Sequence, residues 1–150
     1  MSNSKLVLRG QYEVATIDNA TGEIIDREKG HNLIVAVGKE RVAKLLCKVE
    51  TEGFDYIAIG TGTTPAAVAD TGLETEVDRE AATLAYEADY KATFEKTFTF
   101  GTADSYAITE AAVSDSDTET GECLLNRFVF TAKNVDIDVS LYIKVTITVS

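Results

Sequence analysis

Few side chains in this sequence are equipped for covalent or redox chemistry. It has one histidine, His31, and two cysteines, Cys47 and Cys123, which stand 76 positions apart. A zinc site needs clustered Cys and His, and a thiol redox pair needs a C-x-x-C spacing. Neither occurs, so two reduced thiols are expected, with Cys47, off the apolar face of a helix, the one open to crosslinking. No G-x-S-x-G elbow is present, and neither cysteine stands next to a plausible base, so a nucleophile–base dyad is not expected. His31 reads as a loop residue beside a helix start. Gly60-x-Gly62 follows an apolar strand as a dinucleotide fingerprint would. However, Pro65 occupies the place of its third glycine, and the chain lacks alternating strand–helix units. The glycines read instead as turn residues free to take positive φ. Asp115, Asp117 and Glu119 match the first, third and fifth places of a calcium loop. Thr120 then stands where the sharp-turn glycine belongs, and Asn126 where a bidentate Glu belongs. That stretch reads as a solvated acidic hairpin tip. Carboxylates are plentiful, but nothing in the spacing sets two of them across a cleft. The expectation is a protein that is not an enzyme and has no metal or cofactor.

The elements around these residues are mostly strands. Leu6 to Ile17 and Glu23 to Lys29 flank the turn formers Asn19-Ala20-Thr21-Gly22, which predicts an N-terminal hairpin within residues 1–31. Ile34, Val42, Leu45, Leu46 and Val49 recur at helical spacing, which predicts one amphipathic helix near residues 33–48 with Gly38 as its weak point. Lys39, Arg41, Lys44 and Lys48 lie on its polar side. Tyr56 to Gly60 reads as a buried strand, and the stretch from Thr61 to Arg79 as a long loop with one helical turn. The remainder of 54–150 is rich in strands: two divided near Asp89 between Leu84 and Phe100, then Tyr106 to Val113 and Cys123 to Thr131. Last, Ile137, Val139, Leu141, Ile143, Val145, Ile147 and Val149 alternate with polar residues. A straight strand over residues 137–150 would span about 46 Å at ~3.3 Å per residue. That exceeds the ~38 Å diameter of a compact chain of this size, so the strand is expected to bend or to overhang. The expected fold is mainly β: one jelly-roll-like β-sandwich domain of about eight strands with one helix.

Composition narrows the partners. The chain has 150 residues, and 14 Lys+Arg against 25 Asp+Glu give a net charge of −11. Such a chain repels phosphate backbones and anionic lipid, so neither nucleic acid nor a membrane is expected as a partner. No signal peptide or transmembrane segment is read in it, the longest apolar run being Leu33 to Val37, against the ~20 residues needed to span a bilayer. The charge is also uneven. Asp70 to Asp89 carries seven acidic residues and one Arg, and Asp104 to Glu122 carries six and no basic residue, whereas the predicted helix has four basic residues and one Glu. Acidic loops toward solvent and the helix face toward a partner would follow.

Several phrases form a recognisable set: Asn32-Leu33-Ile34 with Gly38; Tyr56-Ile57-Ala58-Ile59-Gly60-Thr61-Gly62-Thr63-Thr64-Pro65; Leu73, Glu76-Val77 and Arg79; Ile108-Thr109-Glu110-Ala111; Leu124-Leu125-Asn126-Arg127; and the Thr-rich last strand. Together, over about residues 30–150, they resemble a family of small tailed-bacteriophage virion structural proteins, described as capsid decoration proteins or as tail-fibre-like components. The sequence departs from that pattern at Ala112-Val113-Ser114 and has a longer acidic tip. The resemblance implies a virion location and a capsid decoration (cement) protein that binds the outer shell, with the major capsid protein or other virion proteins as partners. It also implies a homo-oligomer such as a trimer. Contacts would fall on Thr61, Thr63, Thr64 and Pro65 and on the basic helix residues Lys39, Arg41, Lys44 and Lys48. A tail, baseplate or fibre-attachment protein is the alternative. A carbohydrate- or receptor-binding sandwich, stacking ligands on Tyr86, Tyr90, Tyr106 and Tyr142, is the third reading.

Overall fold

The structure, a computed structural model, describes residues 5–150. Nine strands and one helix follow in the order β1 (Leu8–Asp18), β2 (Ile24–Ile34), α1 (Ala36–Leu46), β3 (Tyr56–Gly60), β4 (Glu76–Ala81), β5 (Thr83–Glu87), β6 (Lys91–Phe98), β7 (Ser105–Ser114), β8 (Asn126–Asp136) and β9 (Val139–Val149). All pairings are antiparallel, in the order β4-β3-β7-β8-β2-β1-β9-β6-β5. β2 and β8 pair only at Leu33 with Arg127 and Ile34 with Asn126, and β8 meets β9 at Asp136 and Val139. Between those two corners the sheet folds over itself, giving the expected mainly-β, sandwich-like architecture with nine strands rather than about eight. Alternation supplies the core. Val14 of β1, Leu141, Ile143, Val145 and Ile147 of β9, and Phe94 and Phe98 of β6 pack on Ile57, Ile59, Ile108, Val113, Phe128 and Phe130 of the other layer.

The flank where β2 and β8 diverge needs its own closure. Gly30 lies opposite Tyr12, where a Cβ would stand 2.6 Å from the Tyr12 oxygen, so glycine leaves room for the ring. Tyr12 then stacks on Phe128 at 4.6 Å between centroids. Further along, Lys133 Nζ bridges to Asp26 at 2.9 Å and Glu28 at 3.0 Å, and its side chain is only 2% exposed. A buried ammonium needs such partners to remain charged.

Several expectations are corrected. The helix starts at Ala36, because Leu33 and Ile34 complete the corner with β8, and Val35 N–H donates to Leu125 O. His31 consequently lies in β2 and not in a loop. Gly38 is the helix's buried residue, and a Cβ there would stand 2.8 Å from Leu124 O, so its absence permits close approach to the backbone before β8. Glu76 to Arg79 belongs to strand β4 rather than to the loop. Its alternation is masked because Glu76, Asp78 and Glu80 occupy one parity while Arg79 makes its burial polar. The strand expected at Cys123–Thr131 is β8, shifted to Asn126–Asp136. The last strand starts at Val139, since Ile137 lies in the turn and is 46% exposed. Eleven residues at ~3.3 Å span about 36 Å, so β9 fits inside the globule without overhang. Among the described residues no helix is long and apolar enough to cross a membrane.

Candidate functional site

Three of the phrases singled out in sequence, those around Gly62, Glu110 and Arg127, meet in one buried polar cluster. Glu110, on β7, is fully buried. Its carboxylate accepts from Gly62 N–H at 2.6 Å, Thr75 N–H at 3.0 Å and Glu74 N–H at 2.8 Å, and from Arg127 Nε at 3.2 Å. Arg127, at the start of β8, also donates to Asp70 Oδ2 and to the Thr64 carbonyl, both at 3.0 Å. Thr109 Oγ1 donates to Gly62 O at 2.7 Å. Glu74 takes the N–H of Thr63 at 3.0 Å and the hydroxyl of Thr64, and these bonds hold its carboxyl below its ordinary range. A buried pair of ions is tolerated only when such bonds satisfy the remaining lone pairs and protons. The 61–75 loop is thus laced to the sheet at both ends, with the amides of Gly62, Thr63, Thr64, Ala67, Glu74 and Thr75 donating to carboxylates.

Gly60 and Gly62 serve this cluster by close approach. Neither is among the positive-φ residues, which corrects the turn reading; Gly22 and Gly121 hold those conformations, at 74° and 76°. A Cβ on Gly62 would press into the Glu110 carboxylate and Glu74 Cβ, 2.8 Å from Glu110 Cδ. Gly62→Ala should cost about 1–3 kcal/mol by overpacking, read as a lower denaturant midpoint with an unchanged m-value. An unaltered midpoint would show that the loop is not clamped as described.

A second cluster joins β4 to the acidic tip. Arg79, whose side chain is 4% exposed, donates to Glu76 at 2.6 Å, Ser114 Oγ at 2.9 Å and Ser116 O at 2.8 Å, and pairs with Glu122. Burial pushes the Glu122 carboxyl above its ordinary value although Arg79 pulls it down, and its Oε1 has no partner. Asp115 accepts from Cys123 N–H at 2.6 Å and from Arg41 at 2.8 Å. Asp115, the first of the three carboxylates that matched a calcium loop, is therefore taken by the Cys123 amide and Arg41. Among the described residues no group of three or more His, Cys, Asp or Glu could hold a metal.

The sites expected from sequence divide into free and engaged residues. Thr63, Thr64 and Pro65 are exposed at the loop tip, and Thr61 is half-buried, its N–H donating to Thr75 O. Lys39 and Lys48 are exposed, and Lys44 is paired with Glu40 at 3.0 Å. Arg41 faces inward toward Asp115, and Lys48 lies beyond the end of α1 at Leu46 rather than on the helix expected to reach it, so the four do not form one open basic face. Of the four tyrosines, Tyr86 and Tyr90 are exposed, whereas Tyr142 donates to Glu95 at 2.8 Å and Tyr106 packs near Phe100. Both cysteines are free thiols, Cys47 exposed and Cys123 half-buried.

Sequence reasoning missed the outer face of the layer β2-β1-β9-β6-β5. Register places Arg9, Arg27, Lys29, Lys91 and Lys144 there beside Glu13, Glu87 and Glu95, leaving nine basic and twenty-two acidic residues for the rest of the chain. Lys29, Glu13, Lys144 and Glu95 form one cross-strand row of alternating sign. The odd positions of β2 hold only two of these cations, Arg27 and Lys29, and register adds the others. An open groove of about 420 Å³ on this face is lined by Gln11, Glu13, Lys29, His31, Lys144 and Thr146. Glu13 in this groove lies 3.6 Å from both Arg27 and Lys29. No protein-family model, curated protein or solved structure matches this chain.

Proposed function

We propose that this protein works by association, as a non-enzymatic virion structural protein that decorates and reinforces the outer shell of a tailed bacteriophage. The observation that carries the reading is the clamped 61–75 loop. Glu110, Arg127 and Glu74 hold it through the amides of Gly62, Thr63, Thr64, Glu74 and Thr75 and the Thr64 carbonyl, and the exposed residues from Thr63 to Thr71, Pro65 and Val68 among them, are short and uncharged. A preformed loop of this kind loses little conformational entropy on docking, which favours binding over reaction. The oriented charge supports the same reading. Most of the molecule is strongly acidic while the outer face of one layer carries an excess of cations, so a partner surface would meet it in one orientation.

A decoration role and a tail, baseplate or fibre role separate by copy number. In particles purified from the phage that encodes the protein, quantitative band densities should give hundreds of copies per particle for a shell component. Tens or fewer would move the protein to the tail, and absence from particles would remove both readings. The carbohydrate reading keeps only Tyr86 and Tyr90 as open stacking surfaces and predicts retention on a glycan array.

A further inference from the structure

The sheet ends in two edges of unlike chemistry. β4 carries Glu76, Asp78, Arg79 and Glu80 among its six residues, the kind of charge that discourages strand pairing. β5 reads Thr83-Leu84-Ala85-Tyr86-Glu87, has a single charge and neither Lys nor Pro, and every one of its residues is exposed. Two contacts fix which of its backbone groups point outward. Val149 N–H donates to Tyr90 O, so the even-numbered residues of β6 turn their backbone groups toward β9. The odd-numbered Lys91, Thr93 and Glu95 then bond to Glu87, Ala85 and Thr83, in keeping with Thr93 Oγ1 donating to Ala85 O at 3.4 Å. The N–H and C=O of Leu84 and Tyr86 are left pointing off the sheet. Their side chains share the core-side face with Phe94 but lie beyond it, 51% and 73% exposed.

We propose that a second copy of this chain pairs with this edge, β5 to β5 and antiparallel, about a two-fold axis through Ala85. The strand is self-complementary in that register. Leu84 faces the copy's Tyr86 twice, giving four main-chain hydrogen bonds and two aliphatic–aromatic pairs. Glu87 faces Thr83, so no like charges meet directly in a chain whose net charge is −11. A two-fold pairing uses the same patch on both copies and closes as a dimer. It stands on the edge geometry and holds whether or not the protein is a virion component. An interface of one short strand falls below the ~1,200 Å² of stable complexes, so the affinity is modest and concentration matters.

Sedimentation velocity of the whole chain from about 1 µM to about 500 µM, bracketing micromolar affinity, should show the mass rising from 16.2 kDa toward twice that value. Leu84→Pro removes an outward donor without touching the β5–β6 ladder, and Leu84→Lys adds charge at the edge; each should weaken association by roughly tenfold or more. Near-ultraviolet circular dichroism checks that both variants fold. In a Cys47→Ser background, Ala85→Cys should form an intermolecular disulfide. Facing residues of a non-hydrogen-bonded pair lie ~4.5 Å apart between Cα atoms, within disulfide reach. Thr83→Cys, which faces Glu87, should not. A monomer at every concentration, a trimer, folded Leu84 variants that associate as the parent does, or equal crosslinking from position 83 would each overturn the proposal.

Discussion

Glu110→Ala should lose about 3–5 kcal/mol of stability, the range for removing one partner of a buried ion pair. Against the ~5–15 kcal/mol that holds a typical domain together, this is a large fraction. The cost has two sources that can be separated. Arg127, 3% exposed, would keep Asp70 as its one carboxylate partner. The amides of Gly62, Glu74 and Thr75 would lose their shared acceptor inside the protein, where each unsatisfied donor costs about 1–3 kcal/mol. Glu110→Gln keeps the shape but replaces one acceptor oxygen with a donor that faces these donors, so it should recover little. Glu110→Leu combined with Arg127→Met removes the stranded charge and should cost less than the sum of the single changes, while still freeing the loop. Thermal melts give the first comparison, and hydrogen exchange at residues 62, 74 and 75 gives the second. If Glu110→Ala melted within 1–2 °C of the parent, the cluster would not be what holds the loop.

This cluster also shows how much of the molecule was readable in advance. The grouped phrases contained three of its members, Gly62, Glu110 and Arg127, but not Asp70, Glu74 or Thr75. Their roles were not readable. Gly62 looked like a turn residue because sequence does not distinguish a positive φ from a close approach, and Glu110 looked like one more carboxylate among many. Strands with one wet face were plain: β6 and β9 follow from alternation, and the division near Asp89 falls between β5 and β6. β4 was hidden because its buried side chain is an arginine, and polar burial leaves no apolar period to detect. The end of β2 was hidden for a different reason. Ile34 fits a helical period with Val42 and Leu45, and only the distant corner with Arg127 and Asn126 decides otherwise. The basic outer face escaped because its cations are scattered through four strands of different sequence regions, and register alone gathers them.

Arg79→Met should be the other severe change, and its cost should depend on pH in a direction the cluster dictates. Arg79 holds Glu76 and Glu122 at the base of the acidic tip, and Glu122 has a side chain only 3% exposed. Losing the guanidinium leaves a buried carboxylate without its counter-charge, again about 3–5 kcal/mol at neutral pH. Burial already raises the Glu122 carboxyl above its ordinary value, and the bonds from Arg79 are the chief opposing influence. Without them the folded-state value rises further, so between the unfolded and folded values the native state binds more protons than the unfolded chain. Stability then falls as pH rises through that window and recovers as pH falls toward the unfolded value. Arg79→Met should therefore lie closest to the parent near pH 4–5, around the ordinary Glu value of ~4.3, and furthest from it at pH 7. Glu122→Gln on top of Arg79→Met should flatten this added dependence, since a neutral amide has nothing to titrate. Urea midpoints of the single and double variants across that range measure it directly. A deficit of Arg79→Met that grows on acidification would mean that Glu122 is ionised without need of Arg79, and that the tip is held by Asp115 and Arg41 instead.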